Sequence, residues 1–148
     1  MNIDQYKYFS SENFLNFEFY SEGPKGKIKK VIRYSPQNAN GITYFNLAFG
    51  DWNERARKID DRSVTNNGDR DKILATVAST VLDFTNHYPD MMVYAKGSTP
   101  ARTRLYQIGI ATNWDVIKHL LHVYGFIDNH WELFKRNINY EAFLILRK

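Results

Sequence analysis

Cysteine is absent from the 148 residues of this sequence. That absence excludes disulfide bonds, thiol nucleophiles and cysteine-ligated zinc. No apolar run approaches the roughly 20 residues that a membrane-spanning helix needs. The opening segment also has no apolar stretch behind a basic one, so it does not resemble a secretory signal. We therefore expect a cytoplasmic protein that does not associate with membranes.

A strong charge of one sign is also missing, because 20 Lys and Arg residues stand against 16 Asp and Glu, for a net charge of +4. An excess of this size does not by itself identify a nucleic-acid-binding protein. The excess is concentrated in residues 25–33 and 96–104, which contain no acidic residue, whereas residues 51–72 are dense in charge but balanced. These two basic segments are the places to look for a binding site.

Hydrophobic residues make up 43% of the chain and aromatic residues 16%, enough for one core without metal or disulfide support. In the first third, apolar and polar residues alternate over 14–20, 28–34 and 43–49, as they do in strands with one buried face. Short connections between these segments predict an antiparallel meander. The turn signals are Gly23-Pro24, Ser35-Pro36 and Asn40-Gly41.

A long polar loop over residues 50–68 is predicted to follow the meander. Asp69 is then a plausible N-cap for a helix whose apolar residues recur every three or four positions. Pro89 ends this helix, since the residue before a proline avoids helical geometry. A short apolar strand over 91–96 follows, and it is expected to lie in the interior of the sheet.

The last third predicts two helices and a second antiparallel meander, with a turn at Asp128-Asn129. Periodicity does not decide whether residues 119–124 end a helix or begin a strand. We predict an α+β fold in a single domain over residues 1–148, because separate runs of strands with intervening helices favour that class. Two antiparallel β-meanders would form one mixed or antiparallel sheet, with a long helix and two shorter helices packed on it.

The junction after the strand at 91–96 is the strongest functional signal. Proline is favoured at the first position of a helix, so Pro100 makes Thr99 the N-cap of a helix that runs to Thr112. A helix N-terminus presents unpaired N–H groups and partial positive charge, which suit a phosphate or carboxylate. The buried stripe of this helix is predicted to be Ala101, Leu105, Ile108 and Thr112. The candidate ligand-binding residues are Gly97, Ser98, Thr99, Arg102, Arg104 and Tyr106.

Judged from the sequence, a purely structural role explains this junction slightly better than anion binding does. Thr-Pro is a common helix start, and Arg102 and Arg104 can pair with nearby acidic residues. The full pattern of a phosphate-binding P-loop is absent. Both interpretations, capping and anion binding, stay open.

A second candidate surface is the basic strand that contains Lys27, Lys29 and Arg33, which would share one face. With Tyr20 and Tyr34 interleaved, these residues could follow a phosphate backbone and stack on bases. We favour the alternative, in which lysines protect an edge strand from aggregation.

The histidines support no metal site. His119 and His122 are spaced so that one helix face would hold both, but no third ligand is evident. We predict neither a metal nor a cofactor, and we assign no catalytic residue.

Two segments, Gly97–Tyr106 and Asn139–Phe143, carry a resemblance to a known family. The chain resembles a family of short bacterial proteins, mainly from Bacteroidetes, that is classed as a domain of unknown function. The resemblance covers most of the chain and implies a bacterial cytosolic origin and a single domain. It implies no activity, cofactor or catalytic residue.

From these residues we expect a small cytosolic protein that binds a phosphate-bearing ligand, either a nucleotide or a nucleic acid, at a helix N-terminus. One variant is membership of a toxin–antitoxin-like pair. A different hypothesis is an enzyme acting on nucleotides or RNA, with Arg102 stabilising phosphate charge. A third is a protein–protein interaction module without catalytic activity, which pairs with another protein or forms a homodimer.

Overall fold

The structure is a computed structural model that describes residues 4–60 and 66–148. Its strands are β1 Phe9–Ser10, β2 Asn16–Gly23, β3 Gly26–Ala39, β4 Ile42–Asn53, β5 Lys58–Asp60, β6 Val93–Ala95, β7 Leu121–Ile127, β8 His130–Leu133 and β9 Ala142–Arg147. Its helices are α1 Arg70–His87, α2 Pro100–Thr112 and α3 Trp114–Leu120.

The described strands form one mixed sheet in the order β1-β2-β3-β4-β6-β9-β7-β8, with β5 paired to the far end of β4. The pairing of β4 with β6 is parallel, and every other pairing is antiparallel. One sheet of mostly antiparallel strands with three helices confirms the predicted α+β class.

The N-terminal meander is confirmed, with one of its turns misplaced. A turn at Ser35-Pro36 is wrong, because β3 continues through Pro36 to the hairpin at Asn40-Gly41. Both hairpin residues have positive φ, 53° and 80°, as tight hairpins require. Pro36 is tolerated within β3 because the pairing with β2 extends only as far as Arg33, which leaves one edge of β3 unpaired at the proline.

The predicted loop over 50–68 is wrong in its first part. Strand β4 continues to Asn53, and β5 folds back on it. The two backbones approach so closely at Gly50 that a Cβ there would lie 2.3 Å from the carbonyl oxygen of Asp60. Residues 61–65 of the predicted loop, including Asp61 and Thr65, lie outside the described residues.

Helix α1 packs against the sheet through aromatic residues. Phe84 stacks on Tyr34 of β3 with ring centroids 4.3 Å apart, and both side chains are almost fully buried. The N-cap position at Asp69 and the helix end before Pro89 are both confirmed. None of the helices within residues 4–60 and 66–148 has the length and apolar character of a membrane span.

Helix α2 begins as predicted, but its buried stripe is wrong. Ala101 and Thr112 are exposed, whereas the buried residues are Arg102, Thr103, Gln107, Gly109 and Ile110. Gly109 allows α2 to approach α1, since a Cβ there would lie 3.3 Å from the Cβ of Leu74. The buried polar residues bond to backbone carbonyl groups, Arg102 to Phe49 and Gln107 to Ile138. A search for apolar residues alone could not find a face made of small and hydrogen-bonded polar groups.

The C-terminal region settles the ambiguity at 119–124, because α3 ends at Leu120 and β7 begins at Leu121. Strand β8 forms the predicted hairpin with β7. The second meander is wrong in its last strand, because β9 pairs with β7 instead of β8 and lies between β7 and β6.

The sheet has two different faces. The helix-covered face contains Phe17, Phe19, Ile32 and Leu47, which pack with α1 in the core. Their neighbours along each strand point to the opposite side, which we call the open face. There Tyr20, Arg33 and Trp131 are exposed.

Candidate functional site

A cavity of about 760 Å³ lies where one end of the sheet meets the first turns of α1 and α2. We call it the helix-end cavity. Residues 66–69 form another part of its wall. The lining residues that matter chemically are Lys30, Asp51, Asp69, Arg70, Lys72 and Arg102. Phe49, Ile73, Leu74 and Leu105 supply an apolar part of the same wall.

The N-terminus of α1 opens on this cavity because Asp69 does not cap it. Asp69 occupies the N-cap position with φ −127° and ψ 30°, but its side chain makes no capping hydrogen bond. Its Oδ2 instead accepts from the hydroxyl groups of Tyr6 and Ser21, each at 2.5 Å. The first-turn residues Arg70 and Asp71 line the cavity, and the Asp69 side chain makes no hydrogen bond to the backbone N–H groups of this turn.

The hydrogen bond to Asp69 also holds the Tyr6 side chain in place. Burial raises the pKa of the Tyr6 phenol, and the hydrogen bond to the Asp69 carboxylate raises it further. The Tyr6 hydroxyl therefore keeps its proton and continues to donate to Asp69 throughout the neutral range. Within the described residues, Oδ1 of Asp69 has no hydrogen-bond partner.

Two buried cations stand in the cavity wall. Lys30 is 3% exposed and forms an ion pair with Asp51, the residue opposite it on β4. Arg102 is 5% exposed, and its Nη2 donates to the carbonyl oxygen of Phe49 at 2.7 Å. Buried charges are costly unless they are paired, and these contacts hold both cationic side chains in fixed positions.

Counted among the lining residues alone, cations outnumber anions by one. The cations are Lys30, Arg70, Lys72 and Arg102, and the anions are Asp51, Asp69 and Asp71. Arg70 pairs with Asp71 at 3.2 Å. The Lys72 ammonium lies 3.6 Å from Oδ2 of Asp4 and 4.3 Å from the centroid of the Tyr6 ring. Such a wall suits a ligand that has both an anionic end and an apolar part.

Of the six residues predicted from the junction after β6, the structure brings only Arg102 to the cavity wall. Ser98, Thr99 and Arg104 are exposed outside it. Tyr106 instead lines a smaller apolar cavity of about 50 Å³ between the helices and the sheet. The ligand-binding role of these residues stays a prediction.

The N-terminus of α2 is closed by its own chain. Thr99 Oγ1 accepts from the backbone N–H of Arg102 at 3.3 Å, which is the predicted capping bond. The amide of Gly97 donates to Thr103 Oγ1 at 3.0 Å. A Cβ at Gly97 would lie 2.4 Å from the backbone nitrogen of Thr103. The absence of a side chain at Gly97 therefore allows the first turn of α2 to pack against it.

Sequence reasoning missed Lys30, Asp51 and Arg70 as members of a site. A signal for Lys30 was present, because it stands between Ile28 and Ile32 on the side of β3 that faces the core. A lysine that interrupts an apolar face is either paired or near a polar cavity, and here it is both.

The basic strand agrees with the favoured interpretation at its start and differs from it at Arg33. Strand β3 pairs with β2 alone at Lys27 and Lys29, since its pairing with β4 begins at Lys30, whereas at Arg33 it lies between β2 and β4 and is not an edge strand. The three cations share the open face as predicted, and Tyr20 stands beside them. Tyr34, by contrast, points to the opposite side and is buried in the core.

His119 and His122 do not share a helix face, since the first lies on α3 and the second on β7. Across residues 4–60 and 66–148 there is no cluster of three or more His, Cys, Asp or Glu side chains that could hold a metal ion.

Comparisons with known proteins give one match. Neither the curated proteins nor the solved structures include a significant match to this chain. A protein-family model matches residues 2–148, which confirms the resemblance to a family of unknown function. The chain therefore belongs to the family of unknown function DUF6934.

Proposed function

We propose that this protein binds a phosphate-bearing small molecule, of nucleotide size, in the helix-end cavity. The observation that supports this best is the cavity itself, whose wall combines the buried cations Lys30 and Arg102 with the α1 first turn that Asp69 leaves uncapped. Positive charge fixed in a low-dielectric wall attracts an anion more strongly than a solvated side chain does. Backbone N–H groups at a helix start are natural donors to phosphate oxygens.

The size and the apolar part of the cavity favour a nucleotide over a free phosphate ion. A volume of about 760 Å³ lies within the range of ordinary small-molecule pockets, about 300–1,000 Å³. Phe49, Leu74 and Leu105 give it an apolar wall that an inorganic anion would not need. A planar base can lie against that wall while its phosphates reach the α1 end.

Isothermal titration calorimetry of the full chain against AMP, ATP, adenosine and inorganic phosphate tests the proposal. We expect both nucleotides to bind more tightly than adenosine or phosphate alone. Replacing Arg70 by Gln removes an exposed cavity cation without disturbing the core, and should weaken nucleotide binding about tenfold, the effect of one charge-assisted hydrogen bond.

Two matched variants complete the experiment. Arg136→Gln removes an exposed cation outside the cavity and should leave binding unchanged. Arg104→Gln separates the two helix ends, because a loss of affinity there would place the ligand at α2 instead of α1. Absence of nucleotide binding by the folded wild-type chain would contradict the proposal.

The proposal assigns binding and no reaction, and it places the protein in a bacterial cytosol. Membership of a toxin–antitoxin-like pair, enzymatic action on nucleotides or RNA, and a role as an interaction module stay predictions from the sequence. No contact among the described residues favours one of them over ligand binding.

A further inference from the structure

The open face of the sheet carries a second concave surface, separate from the helix-end cavity. It is a groove of about 290 Å³ between β1, β2, β3 and the end of β4, which we call the open-face groove. Its accessible aromatic residues are Phe9 and Trp52, because Phe17, which also lines it, is buried in the core. Its charged residues, taken with these two aromatic residues as a set of five, are Lys29, Arg33 and Glu18. Strand register places all five on the same face.

The aromatic residues of the groove are available for contact. Phe9 is 55% exposed. Trp52 is half-buried, and its indole is held by a hydrogen bond from Nε1 to Glu54 at 2.7 Å. A large exposed aromatic ring on a two-residue edge strand contributes little to a core. Its ring plane is instead a surface on which another planar group can stack.

The two basic residues of the groove, Lys29 and Arg33, differ in whether an acidic residue balances their charge. Lys29 lies 3.3 Å from Glu18 and 5.6 Å from the centroid of the Trp52 ring, so its charge is largely balanced. Arg33 is exposed, and its Nε donates to the neutral amide oxygen of Asn16 at 2.9 Å. Within the part of the chain that the structure describes, the groove therefore combines aromatic surface with one positive charge that has no acidic partner.

The same face continues with a second group of aromatic residues. Tyr44 and Tyr94 meet edge to face at 5.8 Å, Tyr94 meets Trp131 at 6.3 Å, and Trp131 meets Phe126 at 5.1 Å. Tyr44 and Trp52 lie at opposite ends of β4, about 26 Å apart at about 3.3 Å per residue. The open face thus has aromatic surface at two places separated by the length of several nucleotides.

We propose that the open face binds single-stranded nucleic acid, with bases stacked on Phe9 and on Trp52 and a phosphate at Arg33. This goes beyond the proposed function, because it concerns the other face of the sheet and a polymeric ligand. Stacking on aromatic side chains is tolerant of sequence and occurs on single strands, whose bases are accessible. Charge complementarity selects a nucleic acid over an apolar partner, since the groove has basic residues beside its aromatic ones.

Fluorescence anisotropy of labelled oligothymidine and oligouridine, about ten nucleotides long, tests the inference with the full chain. We expect Trp52→Ala to weaken binding about tenfold, the effect of losing one stacked base. Trp52→Phe keeps a ring and should retain most of the affinity. Circular dichroism melting of each variant establishes that it is folded, and Phe9→Ala provides an independent removal of the same surface.

The salt dependence gives a sharper readout. If Arg33 is the main phosphate contact, the logarithm of the binding constant should fall with the logarithm of salt concentration at a slope of about −0.7, the value for one phosphate of a single strand. Arg33→Gln should flatten that slope, whereas Lys118→Gln, an exposed lysine on α3, should behave as wild type.

Three outcomes would overturn the inference. The first is no binding of either oligonucleotide at low salt. The second is binding that Arg70→Gln weakens while Trp52→Ala and Arg33→Gln do not, which would place the strand in the helix-end cavity. The third is a dimer, detected by sedimentation, that Trp52→Ala dissociates without any oligonucleotide binding, which would assign the open face to a second copy of the chain. Failure of nucleotide binding in the cavity would leave this inference standing.

Discussion

The two long helices of this protein begin in opposite ways. Helix α2 starts at a Thr-Pro pair, and its end is closed by Thr99 and by the approach of Gly97. Helix α1 starts at Asp69, an equally good capping residue by type, whose carboxylate is held instead by Tyr6 and Ser21. The N-terminus of α2, which has the stronger capping signal in the sequence, is closed. The N-terminus of α1, which has the weaker signal, opens on the helix-end cavity.

This difference shows that an N-cap residue reports where a helix starts and not whether its N–H groups are available. A side chain caps its own helix only when no better partner competes for it. Tyr6 arrives from 63 residues earlier in the chain, so the competition at Asp69 is decided by tertiary structure.

The largest loss of stability is expected from a substitution at the closed N-terminus of α2. Gly97→Ala would place a Cβ 2.4 Å from the backbone nitrogen of Thr103, and backbone cannot move aside as a flexible side chain can. We expect a loss of about 3 kcal/mol in the free energy of unfolding, measured by urea denaturation. Gly109→Ala, whose Cβ would meet the Leu74 side chain at 3.3 Å, should cost clearly less. Equal losses would show that the close approach at Gly97 does not hold the α2 end.

The next effect is expected at Asp69. Asp69→Ala removes the acceptor of two hydroxyl groups, and should lower the free energy of unfolding by about 2 kcal/mol. Asp69→Asn keeps an acceptor oxygen and should lose less. A double-mutant cycle with Tyr6→Phe should show coupling between the two positions. Additive effects would mean that the Tyr6 contact does not hold the carboxylate away from α1.

A smaller effect is expected at Thr99. Thr99→Ala removes a real capping bond and should cost about 1 kcal/mol in the same denaturation experiment. Thr99→Ser restores a hydroxyl and should recover most of the loss. No change on Thr99→Ala would contradict the description of the α2 end as capped.

The smallest effect is expected in how the free energy of unfolding changes at alkaline pH. The pKa of Tyr6 is raised above its usual value of 10.0 in the folded state, so the folded form retains a proton that the unfolded form releases. This contribution to stability is fully present below pH 10.0 and is lost as pH rises through the folded pKa. Tyr6→Phe should reduce the loss of stability above that pH, and a phenolate absorbance titration checks it. An unchanged alkaline profile would argue against the Tyr6 contact.

Much of the fold could be predicted from sequence. The alternation of Phe17 and Phe19 and the Thr99-Pro100 pair depend on local chemistry, and both predicted elements are present. The buried face of α2 could not be predicted, because Arg102 and Gln107 are buried by bonds to carbonyl groups far away in the chain. The candidate site depends even more on such contacts, since its wall is lined by Lys30 of β3, Asp69 before α1 and Arg102 of α2, which are far apart in the sequence.

The central claim is that the open helix end, at α1, receives the phosphate. Amide proton–nitrogen correlation spectra recorded during a titration with AMP test it residue by residue. The account predicts shifts at the backbone amides of Arg70, Asp71 and Lys72, with little change at Ala101 to Thr103. Shifts confined to the α2 end, or none at either helix start while AMP binds, would contradict it.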